Sequence, residues 1–341
     1  MRMPSITVRI VRPLDVSLVI HRSVGGATAE VVLPTGRGTL HLPSVQDGDD
    51  ENHLRVDAPQ GFTKASAVLP GSMLGWGGYN APNQVSVNGL GFQFIANIDT
   101  GGSALGSVSL SGLNELHQEL SSWIRRFCSW TQLILNQPLD LTDPAPGVIH
   151  PPSSAALTWG ELDGIESLMS SSPPPFAINV EIETTSVSER LMEKSDLAGI
   201  TALANDPETI APVEVQFLGA SRLAAQRGRL RQCLVEVGIG LEALLTRLLR
   251  LDKGHGKTLG KLVGDATDAG LSLPDDIKVN LVSPRNDAVH RGADPSRQVA
   301  LRAVEILDGL IRTHTPGFSF DISRERAHRP HRLDLNIVAS Q

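Results

Sequence analysis

Residues 283–292 read Ser-Pro-Arg-Asn-Asp-Ala-Val-His-Arg-Gly, which sets a guanidinium, an amide and an imidazole within six positions. His290 carries an imidazole, the side chain best suited to moving a proton at neutral pH. Arg285 is always charged and offers a planar fork of donors that matches phosphate oxygens. Asn286 follows directly and can orient either partner. Each also has a structural use. Arg285 can pair with Asp287 or Glu242, and His290 can cap a helix C-terminus ahead of Gly292. Asp287 sets a negative charge beside any phosphate bound there. Five residues of α-helix rotate by about 500°, so Arg285 and His290 do not share one face of a regular helix. Pro284 marks a break just ahead of Arg285, and the pair is expected to straddle a helix start.

Other candidate sites are weaker. Gly254-His-Gly-Lys-Thr258 has the end of a phosphate loop, but its first glycine would fall at Leu251 and no strand precedes it. It reads as an interhelical connector whose Lys253, His255 and Lys257 can still meet a phosphate backbone. Asp47 to Glu51 lacks the ligand spacing of a calcium loop. The ten histidines form no metal-ligand spacing, and His314, His328 and His331 lie in or near an Arg-rich tail. No Gly-x-Ser-x-Gly elbow or His-Glu-x-x-His signature is present. Cys128 and Cys233 sit among apolar neighbours at helical spacing, so buried reduced thiols and a reducing compartment are expected.

The elements that would position Arg285 and His290 are helical. Leu230, Leu234, Val237, Leu241, Leu244 and Leu248 step by four and three, one apolar seam along a helix of about twenty residues. Val213 to Gln226 reads as its partner, with Arg227-Gly228 as the turn. After the Gly/Lys loop come a short helix from Lys257, a helix from Pro274 or Asp275, and a last one from about Arg297 to Thr313. Within such a bundle, Arg285-Asn286 and His290 resemble the Arg-Asn-x-x-x-His motif of HEPN domains. The likeness extends over Gln216 to Leu249, including Gly240-Leu-Glu242 where many members have Ala-Leu-Glu, and covers roughly residues 212–313. It implies a metal-independent endoribonuclease with no cofactor, acting as a homodimer whose two motifs meet at the interface. Arg285, His290 and Asn286 would be catalytic, and Arg291, Lys257 and Lys253 would bind substrate. The same resemblance allows a non-catalytic dimerisation or nucleotide-sensing module, and it places an active member in a toxin or anti-phage setting.

The N-terminal region is different. Ile6 to Ile20, Ala29 to Leu33, Thr39 to Leu42, Leu54 to Val56, Val85 to Val87 and Phe92 to Ile98 are β-rich runs divided by Gly/Pro/Asn/Asp clusters. They predict a small sandwich or barrel. Leu113, Leu116, Leu120, Trp123, Phe127 and Trp130 recur at helical spacing over 111–137, with both tryptophans expected in the core. Pro138 to Pro152 is a connector, and Phe176 to Ile182 alternates as a strand. The fold class is therefore α+β: a β-rich region over 1–205, a helical bundle over 212–313 and a basic tail over 314–341.

The chain of 341 residues has 40 % apolar residues, which suffices for a real core. Aromatics at 4 % argue against a stacking platform for single strands. The net charge of −7 is uneven: residues 1–210 carry 11 basic against 22 acidic side chains, and 211–312 carry 15 against 12. The acidic part would repel a polyanion and the basic part could tolerate one, such as the RNA that the resemblance implies; the N-terminal region is left as a site for a protein or ligand trigger. No apolar stretch is long enough to span a membrane, and Met1 to Val8 runs into a strand pattern without a signal-peptide core, so a cytoplasmic location is expected.

Overall fold

A computed structural model describes residues 5–47, 54–62, 76–81, 83–97, 110–137, 139, 157–162, 165–170, 190–252 and 254–315. The fold is α+β, an antiparallel sheet region followed by helices. The strands are β1 (Ser5–His21), β2 (Thr28–Leu33), β3 (Gly36–His41), β4 (Ser44–Asp47), β5 (Leu54–Asp57), β6 (Gly77–Ala81), β7 (Gln84–Asn97), β8 (Leu157–Leu162) and β9 (Ile165–Ser170). Most form one sheet in the order β2-β3-β7-β1-β8-β9, with β6 also on β7, while β4 and β5 pair separately. This path does not close on itself as a barrel would. A partial second layer exists, because Val56 and Ala58 pack on a small cluster of Val11, Phe62 and Trp76. The two runs expected at Val85 to Val87 and Phe92 to Ile98 are one strand, since β1 pairs along nearly all of β7 with a register shift between Pro13 and Leu18.

Period-two alternation divides the sheet into two faces. Ile10, Phe92 and Leu40 are directly paired and fully buried on one side. Helix α1 (Leu110–Leu135) covers them, with Trp123 edge-on to Phe92 at 5.8 Å and stacked on Phe127 at 5.3 Å. Trp123 and Trp130 are both core, as their spacing predicts. The expected strand at Phe176 to Ile182, most of the proline connector and the tail from residue 316 lie outside the described residues.

Helices α2 (Lys194–Asn205), α3 (Val213–Gln226), α4 (Leu230–Leu248), α5 (Leu259–Asp268), α6 (residues 278–291) and α7 (Arg297–His314) follow. Asn205 ties this part to the sheet. Its Oδ1 accepts from Val32 N–H at 2.9 Å and Trp123 Nε1–H at 2.7 Å, and its Nδ2 donates to Glu30 C=O at 3.0 Å. Gln137 bonds both backbone groups of Val19 in the same way. One connected apolar core runs from Val8 to Ile311 across both regions.

The α3–α4 turn uses Gly228 at φ +69°, a conformation L side chains avoid. Leu234, Val237, Leu241 and Leu244 of the predicted seam are fully buried. Gly240 lets α4 approach α7, since a Cβ there would lie 2.8 Å from Leu307. Behind it, Arg222 donates to Asp308 at 2.8 Å, and Arg312 also bonds Asp308. Cys128 and Cys233 are buried and not joined by a disulfide, and burial pushes the Cys233 thiol up to about 12. Among the described residues, no helix is long and apolar enough to cross a membrane.

Candidate functional site

Arg285, Asn286 and His290 all lie on α6, and its geometry corrects the expected break at Pro284. In a regular helix the proline ring would clash with the carbonyl four residues earlier and remove one hydrogen bond. Here the preceding turn, Lys278–Val282, is a π-turn in which Ser283 N–H donates to Lys278 C=O. The added residue makes room, and the chain continues through Ser283–Asn286 into a second π-turn, Asp287–Arg291. Arg285 and His290 therefore belong to one helix that does not begin between them. An i→i+5 turn carries one more residue than an α-turn, so residues five apart come round much nearer the same side. The helix stops at Gly292, at φ +67°.

Two residues of α4 hold this helix. Arg231 Nε donates to Ala288 C=O at 3.0 Å, covering a carbonyl near the helix end where cationic groups are favoured. Gly238 is buried beneath Arg285, and a Cβ there would lie 2.8 Å from Arg285 Cγ and 2.9 Å from Nε. The arginine stem thus lies across bare helix backbone. Its Nη1 donates to Asn286 Oδ1 at 3.2 Å, while its Nε is buried with no hydrogen-bond partner among the described residues.

Neither structural alternative for Arg285 is realised. Asp287 pairs with Arg291 at 3.0 Å, and no described carboxylate lies within ion-pair distance of Arg285, Glu242 included. His290 is exposed in the last turn before Gly292, without a described ion pair or hydrogen bond. No hydrogen bond joins Arg285 to His290. Arg291 is 79 % exposed, and exposed pairs of its kind are worth about 0–1 kcal/mol, so a phosphate could displace Asp287.

The Gly/Lys loop is more tightly tied. Lys257 Nζ donates to Asp265 at 2.7 Å and holds that carboxyl below the usual range. His255 Nδ1 accepts from Lys257 N–H at 2.9 Å, which leaves Nε2–H to donate to Thr246 at 3.1 Å and fixes the tautomer. Lys253 lies outside the described residues. Among the described residues no group of three or more His, Cys, Asp or Glu is placed to hold a metal ion.

No known protein family, curated protein or solved structure matches the chain. A guanidinium with no acid partner among the described residues can bind an oxyanion, and an open imidazole can exchange a proton. Gly238 and Arg231 are the supporting residues that motif reasoning missed. Gly238 did leave a trace: glycine inside a helix costs about 1 kcal/mol relative to alanine, which marks a place where something approaches closely.

Proposed function

We propose that the chain is a metal-independent endoribonuclease of HEPN type, working as a homodimer in a toxin or defence setting. The observation that carries this reading is that Arg285 has no carboxylate partner among the described residues, on the same widened helix as the exposed His290. In the proposed reaction His290 takes the proton of a ribose 2′-hydroxyl. The freed oxygen forms a bond to the adjacent phosphorus, and the bond from phosphorus to the 5′-oxygen breaks. The leaving oxygen gains a proton, giving a 2′,3′-cyclic phosphate and a 5′-hydroxyl. Arg285 neutralises charge that builds on the non-bridging oxygens, and Asn286, bonded to the guanidinium, fixes its plane. Arg291 contributes a looser phosphate contact, and Lys257 a smaller one because Asp265 already holds it.

The test is incubation of the full chain with end-labelled RNA in EDTA, with Arg285→Ala and His290→Ala compared at equal fold and oligomeric state. Loss of cleavage in both, with cyclic phosphate ends in the wild type, supports the reading. Equal cleavage by wild type and both variants refutes the site. No cleavage by a wild-type protein that still dimerises leaves the bundle as an association module.

A further inference from the structure

Arg231 leaves donors unused beside the α6 site. It is exposed in the first turn of α4, and among the described residues only its Nε is engaged, donating to Ala288 C=O at 3.0 Å. Its fork lies over Gly292, where a Cβ would stand 3.4 Å from Nη2 and 3.9 Å from Nη1. The bare glycine leaves both terminal nitrogens room at the end of α6, close in the chain to His290 and Arg291. Among the described residues no carboxylate lies within ion-pair distance of Arg231, Asp294 in the following loop included. Asp287 is taken by Arg291, and Glu236, further along α4, accepts from Gln232. The first turn of α4 carries no acidic residue.

Arg231 and Gly238 are two turns apart on α4, so they share one face and lie about 10 Å apart along its axis. Gly238 carries the Arg285 stem, while Arg231 meets α6 further on, at Ala288 and Gly292. The two helices therefore run antiparallel here, with one guanidinium towards each end of the stretch 285–292. His290 falls between them in the chain. Helical side chains lean towards the N-terminus of their helix, so Arg231 points away from Gly238 and not back along α4. Two forks set apart in this way serve two anions, and both stay charged at any working pH.

We infer that Arg231 holds a second phosphate of the strand whose scissile phosphate sits at Arg285, so that the substrate is a strand of two or more phosphodiesters laid along α6. The inference rests on the reading of α6 as an RNA site, and it adds a residue outside the Arg-Asn-x-x-x-His motif. Arginine suits the task because Nη1 and Nη2 can bond two phosphate oxygens while Nε stays on the Ala288 carbonyl.

Fluorescence anisotropy of the full chain with a labelled 2′-deoxy strand of random sequence, at several salt concentrations, tests this. Each phosphate neutralised on a single strand adds about 0.7 to the slope of log affinity against log salt. Arg231→Gln should bind several-fold more weakly with a slope smaller by about 0.7, and Arg285→Ala likewise. The double variant should lose about 1.4, because the two arginines hold different phosphates. Arg231→Lys gives up the bond to Ala288 but keeps the charge, and should keep the wild-type slope. A wild-type slope in Arg231→Gln, no further loss in the Arg285→Ala background, or no binding of the strand by the wild type overturns the inference. The second of these results is what an arginine that only braces α6 would give. In the wild type the Arg231 Nε–H signal should shift as strand is added, and a signal that stays in place overturns the inference even if Arg231→Gln fails to fold. The strand has no 2′-hydroxyl, so binding is read without cleavage. Cleavage of RNA with an unaltered Arg231→Gln slope refutes the inference alone, and the expected slopes without cleavage of RNA refute the nuclease reading alone.

Discussion

Gly238→Ala isolates the placement of Arg285 from the stability of the bundle. The new methyl would lie 2.8 Å from Cγ and 2.9 Å from Nε of Arg285, closer than carbon atoms pack, so the arginine must leave its rotamer. Two effects on stability oppose each other. Alanine in place of an interior glycine favours α4 by about 1 kcal/mol. Forcing a side chain off its rotamer costs about 0.5–1.5 kcal/mol. The net change is near zero, and Tm should move by no more than about 2–3 °C in a chain of this size. Cleavage of RNA should nonetheless fall at least tenfold, because the guanidinium no longer lies where Asn286 fixes it. The companion variant is Gly240→Ala, whose methyl meets Leu307 at 2.8 Å and Phe217 Cβ at 3.1 Å in the core. Overpacking of that kind costs about 1–3 kcal/mol, which the same helix gain of about 1 kcal/mol reduces to a net loss of up to about 2 kcal/mol, so Gly240→Ala should lower Tm while keeping cleavage per folded molecule. Urea melts, gel-resolved cleavage and the NMR signal of the Arg285 Nε–H, buried in the wild type, give three separate readouts. If Gly238→Ala keeps wild-type cleavage with its Nε–H signal displaced, the guanidinium position does not matter and the proposed mechanism is wrong.

Three further predictions follow from buried groups. Asp308→Ala removes the carboxylate that the buried Arg222 shares with Arg312, and unfolding in urea should show a loss of about 3–5 kcal/mol, against less than 1 kcal/mol if that ion pair is idle. Asn205→Ala removes the acceptor of Trp123 Nε1–H and Val32 N–H, so stability should fall by about 2–4 kcal/mol; a change within 0.5 kcal/mol would show the clamp to be idle. Cys233, with its thiol raised from 9.0 to about 12, should resist alkylation at pH 8 until the chain is unfolded. Its folded pKa lies above its unfolded one, so it imposes no loss below pH 9 and stability drops as pH climbs from about 9 towards 12. Cys233→Val should flatten that alkaline slope, and an unchanged slope would assign it to other groups.

Much of the fold is legible in the residues because its elements obey local rules. The α4 seam, its 19-residue helix and the glycine turn before it follow from three-four spacing and from a single left-handed position. β1 and β2 follow from alternation. Where prediction and structure part, non-local pairing decides. Val85 to Val87 and Phe92 to Ile98 read as separate runs, yet β7 continues from one into the other because β1 supplies partners to both. Nor does the sequence tell that the Pro59 to Phe62 turn packs over Arg9, since Val11, Phe62 and Trp76, which cluster there, are distant in the chain.

The α6 site was half legible, and the missing half is backbone. Side-chain type and spacing named Arg285, Asn286 and His290, but five-residue spacing on a regular helix separates the outer two by about 140°. Pro284 supplies the clue, although a proline there ordinarily signals a stop. A proline inside a helix can be absorbed by a widened turn when the flanking residues are held by tertiary contacts. Here Leu281 and Val282 on one side and Ala288 on the other are buried, and Arg231 takes the Ala288 carbonyl. Burial at both ends keeps the helix from breaking, so the surplus residue is taken up as i→i+5 bonds. A spacing that looks wrong for a shared face on an ideal helix is therefore a reason to ask what anchors the two ends. Here the anchors, Arg231 and the glycine under Arg285, both lie on α4, so the geometry of the motif is set by the helix it packs against.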